Sequence, residues 1–355
     1  MNSMEAIKLN IPEPESHKYT GFDFDNFVFG VQPTDHIFLC DFREGKWQSP
    51  RIEMFRNLSV SPLALCLHYG QTVFEGMKAF RQQDGRIHIF RPEKHLQRMN
   101  RSLDRMCMPF LDKELFYAAL ETLVRLDQNW LPEHDDLSLY IRPFVIATEP
   151  RLGVKISEEC LFAVVCSPLT AYYAQPLRVK VETKYTRAPA GGAGYAKYGG
   201  NYGGAFYPTQ RAKEEGFDQV IWTDAQTHTL LEEAGTMNIM LIRDHRLITP
   251  PAGETILDGV TRDSLIHIAS DIGLEIEERP VCIQELTDAF RSAEKIEIFG
   301  CGTAAVISPV CCVSIHGVEY APYHREDAEM FKLKAALNDI RKGKIPDLYG
   351  WNHFV

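Results

Sequence analysis

Residues 191–204 read GGAGYAKYGGNYGG, seven glycines and three tyrosines around one lysine, Lys197. Glycine weakens helices and strands, so a cluster this dense marks tight turns or a close approach of backbone to a ligand. The lysine then has two readings. It is a solvated cation on a surface loop, where lysines ordinarily sit, or an amine nucleophile held among small residues. The rest of the chain has to decide between them.

At 355 residues the chain is long enough for about two domains. With 45% hydrophobic and 24% charged residues it reads as an ordinary globular protein. A formal charge of −10 argues against a nucleic-acid surface, which shows as clustered excess Lys and Arg. Nine scattered cysteines without a CxxC pair suggest neither a disulfide framework nor a zinc site, and reduced thiols fit the cytoplasm. The start, MNSMEAIKLN, lacks the apolar run of a secretory signal, and no stretch is apolar enough to span a membrane.

Along the first half, HIFLCDF and GKWQSPRIEMF flank a turn at Glu44 and Gly45, and GMKAFRQQDGRIHIF carries an Asp84–Gly85 hairpin signal. Antiparallel pairing follows. Pro92 opens a helix whose Leu96, Met99, Leu103 and Met106 form one apolar stripe, and a second helix is expected over 112–130. SLYIRPFVIA and CLFAVVCSPL read as buried strands, and TAYYAQP breaks the pattern. This places a first domain at 1–168, a linker at 169–176 and a second domain at 177–355. In the second, DQVIWTDA and NIMLIRDHRLITP read as strands joined by THTLLEEAGTMN, and TRDSLIHIASDIG as a helix stopped by Gly273.

Two nucleotide readings of the glycines fail. Lys197 is preceded by Ala196 and followed by Tyr198, which is not a Walker A loop. GCGTAA at 300–305 matches a dinucleotide fingerprint, but Pro309 arrives before the helix such a motif must open. What remains is a set of anion-binding elements. Thr261 can cap its helix, whose N-terminus favours a phosphate; GCGT supplies open amides and the Thr303 hydroxyl; Arg98 lies one position from the apolar stripe, its plainer reading a solvated face with Arg101 and Arg105. A cofactor that needs a lysine imine, a phosphate cradle, a phenol and a carboxylate is pyridoxal 5′-phosphate. Glu232 and Glu233 are the candidate carboxylates for its ring nitrogen, and in an extended segment only one of them can meet the ring.

LHYGQTVFEGMKAF (67–80), HLQRM (95–99), YIRP (140–143), KYGGNY (197–202), EAGTMN (233–238), GVTR (259–262) and GCGTAAVISPV (300–310) occur in order. As a set they resemble the branched-chain amino acid aminotransferases, fold type IV enzymes of pyridoxal phosphate. The resemblance runs from about residue 25 to residue 355. It implies a two-domain α+β fold, with a small α/β N-terminal domain and a larger C-terminal pseudo-barrel domain of mostly antiparallel strands.

The resemblance also implies roles. Lys197 would carry the cofactor and shuttle the proton from Cα, Tyr202 would face the ring 3′-oxygen and Glu233 the ring nitrogen. Arg98, Val260, Thr261 and Thr303 would bind the phosphate, and Thr236 would line the cofactor site. Phe29, Phe74 and Tyr140 would wall an apolar pocket for leucine, isoleucine and valine. Tyr69, Thr303 and Ala304 would hold the α-carboxylate, and Arg142 the second carboxylate of glutamate or 2-oxoglutarate. The implied active unit is a homodimer. Met240 stands where relatives usually have an aromatic and Asp258 where proline is common. Ala305 and Ser308 occupy the places of a redox CxxC found in some animal relatives, so no thiol switch is expected.

Overall fold

The computed structural model describes residues 17–134, 136–170 and 175–355, so the start of the chain and residues 171–174 of the expected linker lie outside the described residues. Packing divides the chain into two units: 1–172 with 197–199 and 341–355, and 173–196 with 200–340. With those two additions the first unit, expected to be the smaller, is the longer in residues.

The first unit is built on an eight-stranded sheet in which every pair is antiparallel. The order runs Asn352–Phe354, Ile87–Phe90, Met77–Arg81, Ser138–Ala147, Cys160–Leu169, His36–Arg43, Lys46–Met54, with Thr72–Phe74 also paired to Ser138–Ala147. Asp84 and Gly85 make the predicted hairpin, Arg81 facing Ile87 across it, and Glu44 and Gly45 make the other, Arg43 facing Lys46. Pro92 begins the helix Pro92–Arg105, and Leu96, Met99 and Leu103 are buried in the main core with Phe38, Phe116 and Phe162. The second helix is shorter than expected, Lys113–Leu126, capped by Asp112 accepting from the Leu115 N–H. It stops because Asp127 turns its carboxylate onto His36, taking the backbone N–H at 3.3 Å and Nδ1 at 2.6 Å, and a short 3-10 turn follows.

The second unit carries a ten-stranded sheet. Its path runs through Met237–Arg243, Glu297–Gly302, Val306–Ile315, Leu177–Val181, Gln219–Thr223 and Leu230–Ala234, and the last of these pairs back to the first at Ala234–Met237 and Glu233–Asn238. Those six strands therefore close into a barrel, which hides their edges. Two of the barrel pairs are parallel, Val306–Ile315 with Leu177–Val181 and Leu177–Val181 with Gln219–Thr223; the others are antiparallel. One expectation needs correcting here. THTLLEEAGTMN does not simply connect two strands; Leu230–Ala234 is itself a strand of the barrel, with Glu232 and Glu233 buried in it.

Candidate active site

Lys197 belongs to the first unit with residues 198 and 199, although 173–196 before them and 200–340 after them belong to the second. Its backbone is pinned at both polar groups: the N–H donates to Ser102 Oγ at 2.8 Å and the carbonyl accepts from the Phe74 N–H at 3.1 Å. Its ammonium lies 4.9 Å from the centre of the Phe74 ring. Arg142 stacks on the same ring at 5.0 Å and donates to the Tyr140 hydroxyl at 2.9 Å, and Tyr140 meets Phe29 edge-on at 5.0 Å. The structure thus brings Lys197, Phe74, Tyr140, Arg142 and Phe29 into one aromatic-walled group. Gly76 makes room for it, since a Cβ there would lie 1.9 Å from the Tyr140 hydroxyl.

Arg98 is buried, while Arg101 and Arg105 on the same helix are exposed, so the solvated-face reading does not hold for it. Its Nε and Nη2 donate to the two oxygens of Glu75 at 2.7 and 2.8 Å. Tyr69 sits apart. It is exposed, and its hydroxyl donates to the carbonyl of Leu152.

In the second unit Glu233 is held in its strand with Oε1 accepting from the Leu257 N–H at 2.8 Å and Oε2 3.1 Å from Arg187 Nε. Asn238, directly across the ladder from Glu233, donates to the Leu257 carbonyl at 2.8 Å and faces Cys301 on its other side. Glu233, the 257–261 segment and the GCGT turn are therefore neighbours. Burial raises the carboxyl of Glu232, the other candidate, above its usual range. Thr236 is exposed in the turn between two strands, and Tyr202 is half-buried in the short helix Gly199–Gly203.

Thr261 is not the cap of its helix. The helix is Val260–Asp271, Gly259 occupies the cap position without a side chain to offer, and Thr261 is the second helical residue. GCGTAA is a hairpin turn between Glu297–Gly302 and Val306–Ile315, with Gly302 facing Val306, and it opens no helix. The dinucleotide reading ends there. Thr303 and Ala304 are half-buried in that turn.

Several residues escaped the sequence. Arg187 donates through Nη2 to the carbonyls of Gly194, at 3.1 Å, and of Thr255, joining the glycine-rich loop to Glu233. Gly194 is required at that crossing, because a Cβ would lie 2.7 Å from both the Ala188 Cβ and the Thr255 Cα. Asn201 donates to the carbonyls of Ala193 and Ala196 and so folds the same loop onto itself. Glu75, His95 and Ser102 were also missed, though His95, Arg98 and Ser102 recur at spacings that share one helix face.

Residues 72–313 match the family model described as amino-transferase class IV. The chain belongs to the class IV aminotransferases. Among members of the class, it is 43% identical over 93% of its length to branched-chain-amino-acid transaminase 1 of Bacillus subtilis, covering 94% of that protein. It is 39% identical over 91% of its length to the branched-chain-amino-acid aminotransferase of Mycolicibacterium smegmatis, covering 90% of it. The crystal structure of the Escherichia coli branched-chain aminotransferase superposes with a TM-score of 0.73 at 25% identity, over 90% of this chain and 98% of that one. These aminotransferases share the fold type IV architecture, and the two-domain α+β expectation holds.

Proposed function

We propose that this chain is a branched-chain amino acid aminotransferase, moving an amino group reversibly between L-leucine, L-isoleucine or L-valine and 2-oxoglutarate with pyridoxal 5′-phosphate as its cofactor. The seat of Lys197 carries the reading: a lysine pinned by both backbone groups, beside an aromatic wall and a single arginine. The donor set fits the cofactor. A buried arginine, Arg98, and the N-terminus of a twelve-residue helix, whose dipole favours an anion, are the groups a phosphate calls for.

The cofactor supplies an aldehyde for the lysine and a ring that draws electrons from the substrate Cα. Lys197 would hold the cofactor, and its amine would move the proton at the substrate Cα. Glu233, fixed by Leu257 and Arg187, would hold the ring nitrogen, and Tyr202 would offer its phenol to the 3′-oxygen. Arg98, the backbone at Val260, Thr261 and Thr303 would bind the phosphate, and Thr236 would line the site. Phe29, Phe74 and Tyr140 exclude water around a branched side chain, whose burial is worth about 2–3 kcal/mol. Arg142 takes the second carboxylate of glutamate or 2-oxoglutarate; Tyr69, Thr303 and Ala304 take the α-carboxylate.

The test is the visible spectrum of protein incubated with pyridoxal phosphate and desalted. A retained band near the imine region that collapses on adding L-leucine, and not D-alanine, is expected. Absence of any retained band would remove the lysine chemistry.

A homodimer is part of the proposal. The backbones of 63–65 and 149–151 pair, and together with the Tyr69–Leu152 hydrogen bond they present Leu67, Leu152 and Val154 to solvent at 61%, 60% and 77% exposure. That is an apolar face in search of cover, and a second copy of the chain would bring Tyr69 to its neighbour. Val154→Asp is expected to shift sedimentation from dimer to monomer and to depress activity with it; an unchanged dimer would count against this face. All nine cysteines are unpaired, which suits the cytoplasm, and no helix among the described residues is long and apolar enough to cross a membrane.

A further inference from the structure

Glu75 stands between the ring that faces Lys197 and the glycine that admits Tyr140, and it is fully buried. Its carboxylate is enclosed by donors. Arg98 Nε reaches Oε1 at 2.7 Å, Arg98 Nη2 reaches Oε2 at 2.8 Å, His95 Nδ1–H donates to Oε2 at 2.7 Å and the Gly76 N–H to the same oxygen at 3.1 Å. The backbone is held as well, the Glu75 N–H donating to the Pro143 carbonyl at 2.8 Å. Burial alone would raise this carboxyl; the charge of Arg98, with the hydrogen bonds from Arg98 and His95, holds it well below the usual carboxylate range. His95, pushed down by burial, stays a neutral donor.

The pairing is side-on. It takes two nitrogens of the guanidinium and so fixes both the plane of the fork and the rotation of the last side-chain bonds. One turn further along the helix, Ser102 Oγ donates to the Arg98 carbonyl at 3.0 Å and accepts from the Lys197 N–H. Glu75 therefore orients an arginine whose helix also anchors the reactive lysine. Because the Glu75–Arg98 pair carries no net charge, what it can offer an anion is a set of aimed N–H donors more than a bare cation. Aim is what a fixed partner supplies and a free side chain loses.

We propose that Glu75 is a positioning residue for the cofactor phosphate, holding the Arg98 guanidinium in its binding orientation and thereby setting the preference for pyridoxal phosphate over unphosphorylated pyridoxal. This rests on the assignment of Arg98 to the phosphate made above.

The experiment measures dissociation constants of both compounds for the full-length apoprotein, by fluorescence quenching and by the lysine imine band. In the unaltered protein pyridoxal phosphate should bind far more tightly. Glu75→Gln should cut that preference by about tenfold or more, the scale of one well-aimed charge-assisted contact, while the constant for pyridoxal moves less than twofold. Since removing one member of a buried pair threatens folding, Arg98→Met and the double variant Glu75→Gln/Arg98→Met form the second arm. Both should show the same reduced preference, because without Arg98 there is nothing left for Glu75 to orient. Equal weakening of both compounds by Glu75→Gln, an unchanged or increased preference, or a double variant worse than Arg98→Met alone would each overturn the proposal. A native protein that does not prefer the phosphorylated compound would instead overturn the assignment of Arg98.

Discussion

Lys197→Ala is expected to abolish multiple-turnover transamination, with a loss on the order of 10⁴-fold or more, while leaving the thermal unfolding midpoint close to its original value. The two halves of this expectation come from different atoms. The backbone at residue 197 is held by main-chain groups: the N–H to Ser102 Oγ, the carbonyl to the Phe74 N–H, and the adjacent bridge between Tyr198 and Val73. Alanine keeps these. It gives up the ammonium over the Phe74 ring, a contact worth about 0.5–1 kcal/mol. Turnover has no such substitute, because proton removal from Cα needs an amine at that place, and no other described lysine is set against the Phe74 ring. Steady-state rates with L-leucine and 2-oxoglutarate, set beside a melting curve, check both halves. Residual activity within tenfold of the native rate would remove Lys197 from the centre of the reaction.

Glu233→Ala should cost less, roughly 10²-fold in kcat, since a lysine can still engage the cofactor when the ring nitrogen has lost its carboxylate. Here the structural side is not neutral. Removing the side chain leaves Arg187 without the anion 3.1 Å from its Nε and frees the Leu257 N–H, both in a nearly closed environment. Loss of one partner from such a pair is commonly worth about 3–5 kcal/mol of stability. Glu233→Gln separates the two effects, because the amide oxygen still accepts from Leu257. It should melt closer to the native protein and yet share the kcat defect. Full activity in the glutamine variant would sink the ring-nitrogen role, whatever its stability.

The sequence showed local features well. Asp84–Gly85, Glu44–Gly45 and Pro92 act through backbone preferences that need no distant partner, and all three stand where they were placed. Residues whose meaning comes from across the fold were harder to see. Arg98 sits on a helix with two exposed arginines, and only Glu75, in the link between the strands Thr72–Phe74 and Met77–Arg81, distinguishes it from them. Leu230–Ala234 was read as an extended segment joining two strands, because its place as a strand of its own depends on pairing with Gln219–Thr223 and Met237–Arg243 across the barrel. Arg187 gave no local signal at all: its partners are carbonyls at 194 and 255 and a carboxylate at 233. Thr261 was placed two positions too early in its helix, since threonine is a usual cap, whereas Gly259 holds the cap position and has no side chain to offer.

The membership of residues 341–355 in the first unit bears on how the chain is made. Their strand Asn352–Phe354 extends that unit's sheet beside Ile87–Phe90, and His353 meets Glu121 at 2.8 Å across 232 positions. A ribosome delivers the early strands first, but the edge at Ile87–Phe90 stays open until residues 352–354 are made, after every strand of the barrel. The strands of this sheet are thus made on both sides of the barrel in the chain, and the sheet is complete only after the barrel is made. During that interval its bare strand edge is open to pairing with another chain.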